Sequence, residues 1–201
     1  FYENILGRNR NFWIPIYGRV QELLPGLQHI SLDEFYREIN HVQNSLIRTD
    51  ADEVTYGLHI IIRYEIEQAI FRDHVPVKDL PALWHRKMQD YLQITPPDDA
   101  RGILQDMHWS DGSFGYFPSY LLGNIYDGMF LEAITRDLGS LDSLLAQGEV
   151  KTVTRWLGSH IHWYGGLRLP AEVIRQVCGR ELSAAPLLNY FKEKYTELYH
   201  L

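Results

Sequence analysis

The sequence predicts an all-α protein, and three observations support this. Apolar residues recur at helical spacings along nearly the whole chain. Typical start and stop signals bracket these stretches, such as Ser31 with Glu34 as a capping box and Pro25-Gly26 as a helix end. No convincing strand pair and no internal repeat is present. We therefore expect one helical unit over residues 1–201.

The predicted helices can be placed in chain order. They cover residues 1–24, 31–40, about 50–71, 81–94, 119–138, 141–147, 150–165, 170–179 and 186–201. The segment 50–71 is the clearest of them, because Asp50 and Glu53 suit the positive end of its dipole. Residues 102–118 form the stretch without clear periodicity.

Composition and charge exclude several classes of protein. Hydrophobic residues make up 45% and charged residues 22%, which is typical of a globular chain. Acids outnumber bases by 26 to 19 and no Lys/Arg-rich run exists, which argues against a nucleic-acid partner. No apolar run approaches the roughly 20 residues of a membrane span. Cys178 is the single cysteine, so we expect no internal disulfide and a reducing, cytoplasmic location.

The chain lacks the usual signatures of a self-sufficient hydrolase. None of the nine histidines belongs to an HExxH motif, and His160 and His162 are two positions apart, which directs them to different helix faces. No GxSxG elbow or Gly-rich phosphate loop is present. We therefore predict no metal ligand and no nucleophile within these residues.

A polar stripe interrupts the predicted helix 50–71 and the residues just before it. Arg48, Asp52, Tyr56, His59 and Arg63 recur at steps of three or four, which predicts one helix face. Charged groups on a largely apolar helix need a partner or a charged ligand. Two interpretations stay open: an internal ion pair such as Arg48 with Asp52, or an arginine that binds a carboxylate and is held by that aspartate.

A second polar cluster lies in GILQDMHWSDGSFGYFPSY, residues 102–120. His108 lies near two tyrosines, Tyr116 and Tyr120, whose spacing of four lets them share a helix face. An imidazole and a phenol hydroxyl are suitable donors to a developing oxyanion. The alternative is a packed aromatic loop whose hydroxyl groups are satisfied locally.

Two motifs carry a family resemblance. IRTDAD at 47–52 fits the pattern I-R-x-x-A-D, and GILQDMHW at 102–109 fits G-x-x-Q-D-x-H-W. In this order and separation they resemble the thermostable carboxypeptidase 1, or carboxypeptidase Taq, family of zinc metallocarboxypeptidases. Flanking stretches such as FYENILGRNRNFW and FGYFPSYLLGNIY are similar to that family as well, so the resemblance covers all 201 residues.

The resemblance implies an all-helical fold related to angiotensin-converting enzyme and neurolysin. It also implies release of single residues from peptide C-termini by a zinc held in HExxH and a downstream His-Glu-Ser motif. Neither motif occurs in this chain, so the zinc ligands are expected upstream of residue 1. We therefore expect residues 1–201 to be the C-terminal portion of the catalytic domain, to bind no zinc and to be inactive alone. The family further implies a homodimer.

The resemblance also implies roles for individual residues. Arg48 is expected to pair with the terminal carboxylate of a peptide substrate, and Asp52 to orient Arg48. His108 is expected to contact the substrate or the developing oxyanion. Tyr116 is expected to be the transition-state tyrosine, with Tyr120 the less favoured candidate and a substrate contact. The other motif residues, Gln105, Asp106 and Trp109, are expected to shape their loop, and Asp106 is also expected among the substrate-binding residues.

Two alternatives to an enzyme stay open. The first is a non-catalytic, truncated helical domain that binds peptide C-termini or a protein partner, which the absence of a metal motif favours. The second is an aromatic carbohydrate-binding module, which rests only on the Trp and Tyr content. If only these 201 residues are present, we expect an exposed apolar surface and self-association.

Overall fold

Helices account for the regular structure of the chain, in a computed structural model that describes residues 1–201. Their bounds are α1 Arg10–Trp13, α2 Tyr17–Leu23, α3 Leu32–Ile39, α4 Tyr56–Phe71, α5 Leu80–Leu92, α6 Pro118–Leu138, α7 Leu141–Ala146, α8 Val150–His160, α9 Pro170–Cys178 and α10 Ala185–Tyr199. No strand occurs, so the prediction of an all-α protein is confirmed. No helix combines the length and the apolar character needed to cross a bilayer.

The single helix predicted over residues 1–24 is wrong. This stretch forms a short π-helix, Tyr2–Gly7, followed by α1 and α2. The side chain of Asn9 accepts a hydrogen bond from the Asn11 amide at 2.8 Å and so caps a new helix. Pro15 then lacks the amide that a continuing helix would need. By contrast, the predicted capping box at the start of α3 is confirmed.

The helix predicted from about residue 50 begins later, at Tyr56. The carboxylate of Asp52 accepts hydrogen bonds from the amides of Val54 and Thr55, both at 2.9 Å. An aspartate whose side chain binds the backbone amides two and three residues ahead disfavours a helix that would continue through the aspartate itself. Residues Arg48–Asp50 therefore form a separate 3₁₀ turn, and Arg48 and Asp52 do not lie on α4.

The chain groups into two compact units, each with its own packing. Unit 1 comprises residues 1–40 and 124–201. Its core combines the first helical turns with α6 to α9, and its buried side chains are Ile5, Leu6, Met129, Phe130, Ala133, Ile134, Leu141, Leu145, Val153, Trp156, Leu157, Ile174 and Val177. Whether the two units behave as one domain, as the sequence suggests, stays a prediction.

Unit 2 comprises residues 41–123 and carries the two sequence motifs. Its helices α4 and α5 pack against each other, and an irregular segment from Gln93 to Phe117 leads to α6. The buried core consists of Ile62, Ile66, Leu80, Trp84, Met88, Leu92 and Ile103. Because α4 is packed in this core, three polar side chains on its inner face, His59, Arg63 and Glu67, are buried with it.

Candidate functional site

A cluster of three buried charges joins the two motifs within unit 2. Arg48 donates to Oδ1 of Asp106 from Nε at 3.1 Å and from Nη2 at 2.8 Å. Arg63 of α4 donates to the other oxygen, Oδ2, from Nε at 2.7 Å. Arg63 has no exposed surface and Arg48 is 8% exposed. One carboxylate therefore serves two guanidinium groups, and the three side chains carry a net positive charge.

Neutral groups complete the shell around these charges. Gln105 Oε1 accepts from the Arg48 amide at 2.9 Å and from Arg63 Nη2 at 2.8 Å. Tyr56 of α4 accepts from Arg48 Nη1 at 3.2 Å. Because Gln105 also donates to backbone carbonyls, including that of Leu46 at 3.1 Å, the two motifs are fastened to each other. The remaining N–H groups on Nη1 and Nη2 of Arg48 have no partner in these contacts.

The electrostatics keep this cluster charged. Burial alone would raise the pKa of Asp106, but the hydrogen bonds from Arg48 and the charge of Arg63 hold it below its usual value. Burial lowers the pKa of Arg63 to about 10, with the charge of Asp106 opposing the change. Burial would lower the pKa of Arg48, but Asp106 raises it above its usual value. All three groups are therefore ionised at neutral pH.

An aromatic group with an imidazole lies next to the charges. His108 Nε2 and the Tyr120 hydroxyl are 3.1 Å apart, and the ring of Tyr120 faces the Arg48 guanidinium at 5.1 Å. The rings of His108 and Tyr116 are stacked, with centroids 5.9 Å apart. Tyr116 is 52% exposed, whereas Phe117 is fully buried beneath His108. The Tyr120 hydroxyl is therefore engaged with the imidazole.

The structure does not bring Asp52 to Arg48. The carboxylate of Asp52 accepts from the Thr55 hydroxyl at 2.8 Å and the Gln43 amide at 3.1 Å, in addition to the two amides at the start of α4. Arg48 pairs instead with Asp106. The contact to Arg48 that was expected of Asp52 is therefore made by Asp106, which was also expected among the substrate-binding residues.

His59 of α4 belongs to the predicted stripe but has no polar contact through its ring. It is fully buried, and neither ring nitrogen has a hydrogen-bond partner. Burial, together with the positive charges of Arg63 and Arg48, lowers the pKa of His59 to about 4. The imidazole is therefore neutral at physiological pH and acts as a packed side chain beside the charges.

Sequence reasoning missed one residue of the site, Glu67. This buried carboxylate lies one turn beyond Arg63 on α4 and accepts from the indole of Trp109 at 2.9 Å and from the amide of Gly115 at 3.0 Å. The signal that could have found it is the helical spacing itself, because Glu67 extends the stripe of Tyr56, His59 and Arg63 by four positions.

The chain offers no group of three or more His, Cys, Asp or Glu side chains placed to hold a metal ion. The histidine of the site, His108, lies 4.0 Å from Asp106, whose oxygens are already bound by guanidinium groups. A cavity of about 830 Å³ lies in unit 1 and is lined by polar side chains of α6 and α10, among others, but it contains none of the predicted site residues. The predicted site residues all lie in unit 2.

Known proteins are similar in sequence to this chain over its full length, but the similarity covers only part of the length of those proteins. Carboxypeptidase 1 of Bacillus subtilis (strain 168) is 50% identical over 202 residues, covering 100% of this chain and 40% of that protein. Thermostable carboxypeptidase 1 of Thermus thermophilus is 41% identical, covering 98% of this chain and 39% of that protein. The chain thus spans about 40% of the length of these relatives.

Solved structures agree with the sequence comparison. The crystal structure of an M32 carboxypeptidase from Deinococcus radiodurans R1 superposes with a TM-score of 0.95 at 36% identity, over 99% of this chain and 40% of that one. A structure of Pyrococcus furiosus carboxypeptidase gives 0.93 at 35% identity, over 96% and 39%. The sequence model of the family described as carboxypeptidase Taq (M32) metallopeptidase matches residues 1–195. This chain therefore belongs to the M32, carboxypeptidase Taq, family of metallopeptidases.

Proposed function

We propose that residues 1–201 form the substrate-facing part of a zinc metallocarboxypeptidase that releases single residues from the C-termini of peptides. Family membership supports the reaction class, and the cluster of Arg48, Asp106 and Arg63 supports the recognition of a peptide terminus. The observation that carries the proposal is the pairing of two buried guanidinium groups with a single carboxylate. Such a cluster leaves an excess positive charge that an anionic ligand can compensate.

Arg48 is the member of the cluster that we assign to the terminal carboxylate. It is the more exposed of the two arginines, and it keeps N–H groups on Nη1 and Nη2 that its present contacts do not use. A guanidinium presents these donors in a plane that matches the two oxygens of a carboxylate. Asp106, itself held by Arg63, fixes the other edge of Arg48 and so limits its rotation.

This arrangement explains a preference for chain ends. A peptide that continues past the site carries a neutral amide where Arg48 requires a negative charge. A buried cation without compensation is costly, so an internal segment binds less favourably than a free terminus. Selectivity for exopeptidase cleavage then follows from the fixed position of one charge.

The aromatic group supplies the polar contacts to the peptide. Tyr116 is about half exposed and is our candidate donor to the oxyanion that develops on the scissile carbonyl. Tyr120 hydrogen-bonds to His108 and faces Arg48, so it is better suited to hold those two groups in place. His108 is our candidate for a direct contact with the substrate.

The metal is proposed to be bound outside these residues. Zinc in such enzymes polarises the scissile carbonyl and activates water. The side chains of residues 1–201 do not form a metal ligand set, so the roles that we propose for them are substrate binding, orientation and stabilisation of the oxyanion. We further propose that the intact enzyme acts on peptides, forms a homodimer and is located in the cytoplasm.

The test compares free and amidated peptides with the full-length protein that contains this chain. We expect Arg48→Ala to lower kcat/KM for a free-acid peptide by about 100-fold, because a buried charged contact is lost, and to abolish the discrimination against the C-terminal amide. Arg101→Ala is the matched control, since Arg101 is an exposed arginine of unit 2 that pairs with Asp98. Unchanged cleavage of free-acid peptides by Arg48→Ala would refute the assigned role.

Intact mass and metal analysis separate the enzyme from the non-catalytic alternative. A parent enzyme predicts a mass well above 23.6 kDa and about one zinc per chain. A helical module that only binds peptide C-termini predicts a mass equal to that of these residues, no zinc, and peptide binding that depends on Arg48 without release of an amino acid. The second result would replace the proposed activity with a binding function.

A further inference from the structure

Glu67 fastens α4 to two points of the irregular segment that carries the candidate catalytic side chains. One carboxylate oxygen, Oε1, accepts from the indole nitrogen of Trp109 at 2.9 Å. The other, Oε2, accepts from the backbone amide of Gly115 at 3.0 Å. Glu67 is 4% exposed, so both bonds lie inside unit 2. A single buried side chain therefore closes the loop 109–115.

The two points held by Glu67 adjoin the two candidate catalytic residues. His108 directly precedes Trp109, and Tyr116 directly follows Gly115. The rings of His108 and Tyr116 are stacked with an interplanar angle of 30°. Each ring is therefore adjacent in sequence to a residue that Glu67 binds.

The other contacts of the loop are of different kinds. Gly115 has a φ of +79°, a conformation that glycine adopts readily. Within the loop, the Ser113 amide donates to the His108 carbonyl at 2.7 Å, which shapes the turn but does not attach it to α4. Apolar contacts also join residues 109–115 to α4: the rings of Phe114 and Phe71 meet edge to face at 5.0 Å, and Trp109 packs against the core that includes Ile62 and Ile66. The carboxylate of Glu67, with its two N–H donors, adds directional hydrogen bonds to this packing.

The charge cluster is supported separately. Arg48 is held by Asp106 and Gln105, and those two residues are held by Arg63. Arg63 and Glu67 lie one helical turn apart on α4 and bind different parts of the same segment. Recognition of the peptide terminus and placement of the aromatic donors thus depend on two different residues of one helix.

We propose that Glu67 is a positioning residue for peptide hydrolysis, which acts by fixing His108 and Tyr116 relative to each other. The inference rests on the proposed function, because it assigns those two side chains to the reacting peptide. Loss of the hydrogen bonds of Glu67 displaces His108 and Tyr116, which act in the transition state, while Arg48 still binds the peptide terminus. The expected signature is therefore a loss of kcat with little change in KM.

The test uses Glu67→Gln in the full-length protein with a free-acid peptide. The substituted amide keeps one acceptor oxygen and places an NH₂ group against the other donor, which breaks one of the two bonds. We expect kcat to fall by about 10-fold to 100-fold, with KM within about twofold of the wild type. Glu65→Gln is the matched control, since Glu65 lies on the same helix and binds Lys87 and Tyr91 of α5. The control is expected to keep the wild-type kcat.

A second variant keeps the inference testable if Glu67→Gln does not fold. Trp109→Phe removes the indole N–H together with the five-membered ring but keeps an aromatic side chain at this position, so we expect a fall in kcat with the same unchanged KM. In the 201-residue chain, the Glu67→Gln substitution should also speed hydrogen exchange at the Gly115 amide, whereas Glu65→Gln should not.

The outcomes separate this inference from the proposed function. If the wild-type enzyme releases no C-terminal residue, the proposed function fails and the role of Glu67 fails with it. If the wild type is active and the folded Glu67→Gln and Trp109→Phe variants keep its kcat, only the inference about Glu67 is overturned. A loss confined to KM in either variant would also overturn it.

Discussion

Arg63 donates from Nε to Oδ2 of Asp106 at 2.7 Å, although the arginine side chain has no exposed surface. The two residues are 43 positions apart and belong to α4 and to the irregular segment that precedes α6. An arginine buried in this way is stable only because its partner is ionised. The segment that carries the second motif is therefore held to α4 by charge as well as by apolar packing.

Asp106→Asn should destabilise unit 2 strongly. The substitution leaves two buried guanidinium groups without a counter-ion, and removal of one partner from a buried pair costs about 3–5 kcal/mol. A urea titration followed by circular dichroism would show this as a lower free energy of unfolding. Acetate should restore part of the loss, because a small carboxylate can take the place of the missing charge.

Asp98→Asn provides the control for that experiment. Asp98 is an exposed aspartate of the same unit and forms an ion pair with Arg101. Because solvent screens such a pair, the control should change the stability little and should not respond to acetate. If Asp106→Asn behaves like Asp98→Asn, the charge cluster does not stabilise the unit.

Gly128→Ala should destabilise unit 1 by about 1–3 kcal/mol, the usual cost of overpacking. A methyl group at this position of α6 would lie 2.5 Å from the backbone nitrogen of Leu187 and 2.7 Å from its Cα, so a main chain would have to move. Gly123→Ala on the same helix has open space and should be neutral or stabilising, because alanine favours helix. Equal thermal unfolding midpoints for the two variants would contradict this account.

The sequence predicted the class of fold and the motif residues because both depend on local patterns. Helical periodicity identified the helices from residue 31 onward, although the one predicted from about residue 50 begins at Tyr56 and the one predicted to residue 165 ends at His160. Two short motifs sufficed to identify the family. Both motifs do meet in the structure, where Arg48 contacts Gln105 and Asp106.

The pairings within the site could not be predicted in the same way. A spacing of four between Arg48 and Asp52 indicates a helical ion pair only if both residues lie on the helix. They do not, because the side chain of Asp52 binds the backbone amides of Val54 and Thr55 and the helix begins after them. Helical spacing places Glu67 on the polar stripe but does not show what it binds, since its partners, Trp109 and Gly115, are 42 and 48 positions away. Such partners follow from the tertiary fold.

Asp52→Asn should affect stability and leave anion recognition intact. The carboxylate accepts hydrogen bonds from three backbone amides and one hydroxyl. The substitution therefore leaves at least one buried donor unsatisfied, at a cost of about 1–2 kcal/mol. Arg48 should be unaffected because it has no contact with Asp52. A urea titration measures the effect on stability. Anion recognition is measured as the rise in the free energy of unfolding that acetate produces when it binds at Arg48. A loss of the acetate effect in Asp52→Asn would restore the sequence-based view that Asp52 orients Arg48.

His59 should make the stability of unit 2 depend on pH. In the folded chain, burial and the nearby charges of Arg63 and Arg48 lower its pKa to about 4, against an unfolded value of 6.5, with Asp106 and Asp52 opposing the change. Between these two values the unfolded chain binds a proton that the folded chain does not. The contribution of neutral His59 to the free energy of unfolding is therefore fully present above pH 6.5 and is lost as the pH falls towards 4.

The expected loss between pH 8 and pH 5 is about 2 kcal/mol in the free energy of unfolding. Urea titrations of the wild type and of His59→Gln at several pH values would measure it, because the variant keeps every other titrating group. The pH dependence of the variant should be shallower by that amount, since an amide does not titrate. Parallel profiles for the two proteins would mean that His59 accepts a proton as readily in the folded chain as in the unfolded one.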